Sequence, residues 1–564
     1  MANTSISSSA ASSSRRALGC GAAIALALVV AAGHGARSAA PRFYPDDPIW
    51  SDDDRAFDAS KVVPIEDTNG YDFVVNTFAA PGERRDVRAL NVNTVDEVPD
   101  SSWFTNRIGR REISAADVAR GPDRSSGPLS LEGWIVSGGK STGVQPGFRM
   151  TDPSGQLYQI EVDPPSNPEL ASGAEIIGTA FYYAIGYNTV EVYLAELDRE
   201  KLVIAEKATI RDPLNGRRRG LKKSDLDEVF ERAARRPDGK YRVLASRFAA
   251  GKPLGNFRYY HTRPDDPNDI VAHEHRRELR GARVFGAWLN HDDSRGINSL
   301  DMLETAEGRA WVKHYMFDFG SILGSGTVYE QRHRPGNEYI FEQKPGWLTL
   351  ATLGAYVRPW QLIDYPDVPK SIGRFEADAF DPMKWKPEYP NAAFENMRPD
   401  DGFWAARIVA RFTDEMIGAI VRKAEYSDPR ATEFLTTALI TRRDKVVDAW
   451  LNQVAPVVDP ALAADGAFTF ANAAVAARAA EPAASYQLQW FRFDNAASTR
   501  TPVGSRETVT ALSARAPAEL VGSGDFVGVE ISATHPQRPG WATPSTFFFR
   551  RGGAGWTLVG VERG

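Results

Sequence analysis

The spacing of apolar and polar positions changes character several times along the chain. From residue 131 short alternations dominate. Trp134-Ile135-Val136, Phe148-Arg149-Met150-Thr151 and Leu157-Tyr158-Gln159-Ile160-Glu161-Val162 predict three strands. A Gly-rich loop at 138–143 and a Pro153-Ser154-Gly155 turn separate them. Residues 168–186 then switch to a helical period, with Ile176, Ile177, Ala180 and Phe181 on one face and Gly186 as the stop. Two further β-rich stretches follow at 190–197 and 241–248. A broad apolar face (Leu279, Ala282, Val284, Phe285, Trp288, Leu289) predicts a helix from about Ala272. After it come a strand at 299–303, a turn at Ala306-Glu307-Gly308 and a strand over 310–320. Helices are predicted at 401–424 and 429–454. Beyond about 460, short alternating strands between Pro and Gly turns predict a small β-sandwich-like module.

The first 130 residues read differently. Residues 41–130 are rich in Asp, Asn, Pro and Ser, yet Val92, Val95, Val98, Trp103 and Phe104 demand burial. They predict an extended segment wrapped around a larger body, with a turn at Pro99-Asp100-Ser101-Ser102. Upstream, Arg15–Arg16 precede an apolar run from Ala17 to Ala32, and small residues end at Ser38-Ala39-Ala40. That order is expected of a secretory signal spanning 1–40, with the apolar run too short for a comfortable membrane span. The expected location is therefore outside the cytoplasm, periplasmic or secreted, with no membrane span in the mature chain.

Composition adds limits. The 564 residues are 42% hydrophobic and 25% charged, with net charge −6, which is ordinary for globular protein and excludes a collagen-like or disordered chain. No broad basic face is available for nucleic acid. The single cysteine, Cys20, falls inside the expected signal, so no disulfide framework is expected.

Candidate chemistry comes from three features in one order. The Gly-rich hairpin and a helix bearing Glu175 come first. Asn290-His291-Asp292-Asp293-Ser294-Arg295-Gly296-Ile297-Asn298 follows an apolar helix, and Asp318-Phe319-Gly320 ends a strand. Read blandly, Asp292, Asp293 and Asn298 cap a helix end and a turn. Taken together, the order over 131–455 resembles the protein-kinase-like superfamily, in the style of its atypical bacterial, HipA-type members. Asp293 and Asn298 match the spacing D-x-x-x-x-N, and Asp318-Phe319-Gly320 matches the metal-binding triplet. The 20 residues from Asn298 to Asp318 exceed the gap in ordinary protein kinases.

The resemblance implies an α+β, bilobal protein-kinase-like fold. Its parts would be a β-rich lobe with one helix (131–250), a mainly helical lobe (251–455), the N-terminal wrapping segment and the β module at 460–564. It implies phosphoryl transfer from ATP, with Mg2+, to a protein or small hydroxyl substrate. Asp293 would be the base, Asn298 and Asp318 the metal ligands, and Lys140 with Glu175 the charge pair at the phosphates. Gly138, Gly139, Lys140, Gly143 and Arg149 would hold the nucleotide. Asp292 is the rival base, one residue too far from Asn298, and His291 would support the loop. One departure is plain: Glu161 stands where the third strand should carry lysine, so Lys140 or Arg149 must supply that charge from a neighbouring position. The alternative is a catalytically inactive pseudokinase, an exported binding or scaffold protein. A third class, an envelope or carbohydrate-binding protein, rests on the β module alone.

Other motifs weaken on inspection. Gly133 stands one position too early for a P-loop ending at Gly139-Lys140-Ser141. His273-Glu274-His275 lacks a second zinc ligand because position 277 is Arg. Arg276, Arg277, Arg280 and Arg283 read as a solvated helix face with ion pairs. Trp490 and the C-terminal aromatics read as filling of a β core.

Overall fold

The computed structural model describes residues 40–564 apart from 129–132, 141–142, 213–214, 523 and 554. The expected export signal, Cys20 included, lies outside the described residues up to position 39, as do Ser141 and Thr142 of the Gly-rich loop. The protein mixes α and β structure in several sheets, none closed into a barrel among the described residues.

Two short helices punctuate the N-terminal segment, α1 (Asn69–Val74) and α2 (Ala115–Arg120). Beyond them a seven-stranded sheet forms from β1 (Ile135–Gly139), β2 (Gly147–Thr151), β3 (Leu157–Val162), β4 (Val192–Leu197), β5 (Val203–Arg211), β6 (Arg218–Gly220) and β7 (Tyr241–Arg247), in the order β4-β7-β3-β2-β1-β5-β6. All neighbours are antiparallel except β1 and β5. Strand alternation sorts the two faces. Phe148, Met150, Tyr158, Ile160 and Val162 bury one face under Leu226 and Phe230 of a helix, α4 (Lys223–Glu231). Arg149, Gln159 and Glu161 occupy the opposite, partly exposed face.

Between β3 and β4 runs α3 (Leu170–Ile185), buried at every position but Tyr183. Its first turn has no cap of its own. Asp163, just past β3, accepts from the amides of Ala171 and Ser172, both at 3.0 Å, and so caps the helix from outside. Gly186 ends it at φ 147°, where a Cβ would strike the Phe104 ring at 2.2 Å. This part of the chain thus holds two helices where the sequence pattern showed one. Charged Glu206, Lys207 and Arg211 interrupt the alternation of β5, and α4 buries only Leu226 and Phe230, too narrow a stripe to register.

The central helix is α5 (Arg277–Leu289), after a 3-10 turn at His273–His275. Every residue of it but Arg283 is buried, which overturns the solvated arginine face. Arg277 bonds Asp96 at 2.7 Å, Asp400 at 2.7 Å and Asp401 at 2.9 Å, while Arg280 reaches Asp401 at 3.2 Å. Arg276 bonds Asp269 and lies 4.6 Å over the Trp103 ring. Buried cations need such partners, and those of Arg277 and Arg280 come from segments remote in sequence, invisible to a local pattern. His273 is structural: Nε2 sits 2.7 Å from Asp269.

A three-stranded sheet, β10-β9-β8, follows from β8 (Lys252–Gly255), β9 (Ser299–Ala306) and β10 (Arg309–Met316). Beyond it come α6 (Gln343–Ala351), α7 (Pro399–Val409), α8 (Asp414–Arg422) and α9 (Pro429–Leu451). The single helix expected at 401–424 is broken, because Thr413 Oγ1 accepts from the Met416 amide at 3.2 Å and starts a new helix there.

Past residue 456 the chain is mostly β. A three-stranded sheet (order β11-β12-β16) carries Phe468, which meets Trp490 at 5.3 Å and Phe549 at 6.1 Å on a six-stranded sheet. β11 (Val457–Leu462), β12 (Ala467–Asn472) and β16 (Ser513–Arg515) form the former. The latter comprises β13 (Ser485–Asp494), β14 (Thr499–Pro502), β15 (Glu507–Val509), β17 (Phe526–Thr534), β18 (Ser545–Gly552) and β19 (Gly555–Arg563). Residues 40–128 run across all these parts. Phe43 is buried with Phe491, Phe493 and Phe548, Ile65 bridges Gly255, Phe104 bridges Tyr187, and α2 packs on α8.

Candidate functional site

The site assembles where the polar face of the seven-stranded sheet meets the loops after α5 and β10. Aromatic stacking fixes its floor. The buried Phe319 ring stacks on Tyr182 of α3 at 4.5 Å, and His291 meets the Phe319 ring edge-on at 5.5 Å. Tyr182 also holds His291 Nδ1 at 2.8 Å. Burial, with Arg295 nearby, pushes His291 down to about 3, so the imidazole is neutral. Gly178 of α3 admits Phe319, since a Cβ there would lie 2.5 Å from the Phe319 Cβ. One helix, the turn at 318–320 and the loop at 291–298 are thereby locked together.

Hydrogen bonds refine the arrangement. The Asn298 amide donates to the Asp293 carbonyl at 2.9 Å, and Ser321 Oγ donates to Asp293 Oδ2 at 3.1 Å. Arg295 Nε lies 2.5 Å from Asp293 Oδ1, and its Nη1 bonds Glu388 at 2.6 Å. Asp293 is thus a partly exposed carboxylate held between a guanidinium and a hydroxyl. Asp292 points elsewhere: buried, it accepts from Gln331 Nε2 at 2.6 Å. Burial and the neighbouring Asp293 and Glu388 push its carboxyl up to about 8. A group protonated at neutral pH is a poor base, which favours Asp293 over its neighbour.

Asp318 adopts φ 65°, a left-handed conformation costly for a non-glycine residue. Protein encloses it on most sides, while the cleft leaves it open to solvent. The enclosure, with Glu161 and Asp293, raises its carboxyl, and Lys140 and Arg295 oppose the rise. Glu175, buried on α3, is raised further by burial, Asp318 and Glu161, although the backbone amides of Phe319 and Gly320 favour its charge. A Cβ added at Gly320 would lie 3.8 Å from Glu175 Oε2 and 4.0 Å from Asp318 Oδ1, so the two carboxylates flank the glycine.

Lys140 departs from the expected role. Its ammonium pairs with Glu161 and donates to the Gln145 carbonyl at 3.1 Å, instead of meeting Glu175. Gly138 and Gly139 are strand residues, not loop. A Cβ on Gly138 would lie 2.9 Å from the Thr209 carbonyl, and one on Gly139 would lie 2.5 Å from Ile210. Close packing of β5 accounts for both glycines. Gly143 stands in the β1–β2 loop at φ 84°, where a Cβ would lie 3.1 Å from Lys140 Nζ. Arg149 lies over Gly138, on the same face as Glu161, with no carboxylate partner among the described residues.

Glu161, Glu175, Asp293 and Asp318 therefore gather around two cations, Lys140 and Arg295. A divalent cation with hard oxygen preference fits that excess of negative charge. Among the described residues no group of three or more His, Cys, Asp or Glu forms a ready-made cage.

The structure brings together Asp293, Asn298, Asp318 and Glu175, which the sequence order singles out. Arg295 and Ser321 were legible only as neighbours of those motifs. Gln331 and Glu388 come from distant segments without a local signal. A cavity of about 800 Å3 opens elsewhere, against Asn290, Tyr339, Trp360 and Trp385. No protein-family model, curated protein or solved structure matches this chain.

Proposed function

We propose that the chain is a kinase-like phosphotransferase, using ATP with Mg2+ to phosphorylate a hydroxyl on a protein or small molecule. The seven-stranded sheet with α3 and the helical body around α5 are read as its two lobes. The observation that carries this reading is the bonded unit of Asp293, Asn298 and Ser321 beside Asp318, on a floor of Phe319 and His291.

Magnesium held by Asp318 and Asn298 would neutralise charge on the transferring phosphate. The chain's own residues do the rest. Asp293 accepts a hydrogen bond from the incoming hydroxyl, whose oxygen bonds to the γ-phosphorus as the bond to the bridging oxygen breaks. ADP departs and the hydroxyl proton passes to the Asp293 carboxylate and on to solvent. Arg295 holds that carboxylate in place through its guanidinium. Glu175 supports the backbone of Phe319 and Gly320, and Lys140 steadies the loop over the phosphates through Glu161. Export to the periplasm or beyond, suggested by residues 1–40, belongs to the same proposal.

A second reading, a pseudokinase scaffold, is favoured by one observation: Lys140 is engaged by Glu161, leaving Glu175 to lean on backbone amides. Incubation with γ-labelled ATP and Mg2+ separates the two. Label transfer to substrate or water by the wild type, lost in Asp293→Ala with nucleotide binding retained, is expected of the enzyme. No turnover above that of Asp293→Ala would refute it.

A further inference from the structure

Among the described residues α6 is the α-helix that buries none of its residues. With the turn that follows, it forms an uncharged run from Pro345 to Val357, Pro-Gly-Trp-Leu-Thr-Leu-Ala-Thr-Leu-Gly-Ala-Tyr-Val. Trp347 is 69% exposed, Leu350 68% and Leu353 97%. Folding does not explain these side chains, because they fill no core. A contiguous apolar projection of this kind marks an interaction surface.

Its polar groups say which kind. Thr349 Oγ1 donates to the Pro345 carbonyl at 2.9 Å, and Thr352 Oγ1 to the Leu348 carbonyl at 2.8 Å. The amides of Thr352, Leu353, Gly354 and Ala355 bond carbonyls within the run, and the Tyr356 amide bonds Thr352 Oγ1. These amides and both threonine hydroxyls are thus satisfied within the run, which lowers the cost of entering hydrocarbon. Charge brackets the run: Lys344 precedes it and Arg358 follows it. Arg358 pairs with Glu338, whereas exposed Lys344 has no carboxylate partner among the described residues. Trp347, Tyr356 and Trp360 lie near the two ends. An apolar middle with aromatic residues near both ends, and at one end a lysine without a carboxylate partner among the described residues, is complementary to a bilayer surface bearing anionic headgroups.

We propose that α6 and its turn insert into the outer hydrocarbon layer of an anionic lipid membrane, with Lys344 at headgroup level. Attachment is peripheral, since no helix among the described residues is long and apolar enough to cross a membrane. The proposal is independent of phosphoryl transfer.

Co-sedimentation of the full chain with phosphatidylcholine vesicles, with and without 30% phosphatidylglycerol (roughly the proportion of anionic lipid that makes the surface term measurable), tests it. Wild type should pellet with the mixed vesicles. Leu350→Asp with Leu353→Asp should weaken partitioning by about tenfold or more, from the loss of two buried apolar groups. Lys344→Glu should weaken binding to the anionic vesicles alone. Both positions are exposed, so unchanged thermal midpoints check that the variants fold. Wild type remaining in the supernatant, or the aspartate variant pelleting equally, would overturn the proposal and leave this face to a protein partner.

Discussion

Replacing Asp292 by asparagine tests the electrostatics of the loop at 291–298 without altering its shape. The Asp292 carboxyl is buried, bonded to Gln331 and raised from an ordinary 3.8 to about 8. A carboxyl raised on folding binds its proton more tightly in the folded state, so stability falls as pH rises from about 4 to about 8. At about 1.36 kcal/mol per pH unit, ionising this one group costs the fold on the order of 5 kcal/mol, nearly all of it incurred by pH 8. An asparagine side chain cannot ionise and keeps an oxygen for the Gln331 amide. Urea unfolding at pH 5, 6, 7 and 8 should show wild type losing several kcal/mol relative to Asp292→Asn, with the variant the more stable at pH 8. Equal pH slopes for the two proteins would refute the claim that Asp292 is held neutral, and with it the reason for preferring Asp293 as base.

Three other outcomes follow from the same geometry. Lys140→Glu places a fifth carboxylate in the cleft and should weaken Mg-ATP binding by about ten- to a hundredfold, the scale of a lost charged hydrogen bond. Combining it with Glu161→Lys should recover most of that loss in calorimetric titration; a double variant no better than the single one would disprove the pairing. Arg277→Met leaves Asp96, Asp400 and Asp401 buried beside one another and should cost about 3–5 kcal/mol, read as a lowered urea midpoint.

Much of the fold was legible because local patterns match local structure. The alternation of 157–162 and the helical period of 170–185 depend only on neighbours. What escaped depends on distance. The α5 arginines read as solvent-facing because Asp96, Asp400 and Asp401, which neutralise them, lie more than a hundred residues away. The pairing of Lys140 with Glu161 needed the hairpin's closure, since neither residue's spacing states a partner. Gly138 and Gly139 resembled a phosphate loop because a glycine required by the approach of β5 has the same letter as one required by a ligand. Spacing along one loop sets the contact of Asp293 with Asn298, whereas Gln331 and Glu388 arrive from another segment and leave no local signal.

Titration of Mg-ATP into the wild type and into Asp318→Asn, followed by calorimetry and thermal unfolding, tests the central claim most directly. Saturable binding that stabilises the wild type, by about 2.7 kcal/mol at a hundred times Kd, and is lost or strongly weakened in the variant is the predicted result. Wild type that neither binds nor is stabilised, or Asp318→Asn that responds as fully as wild type, would contradict it.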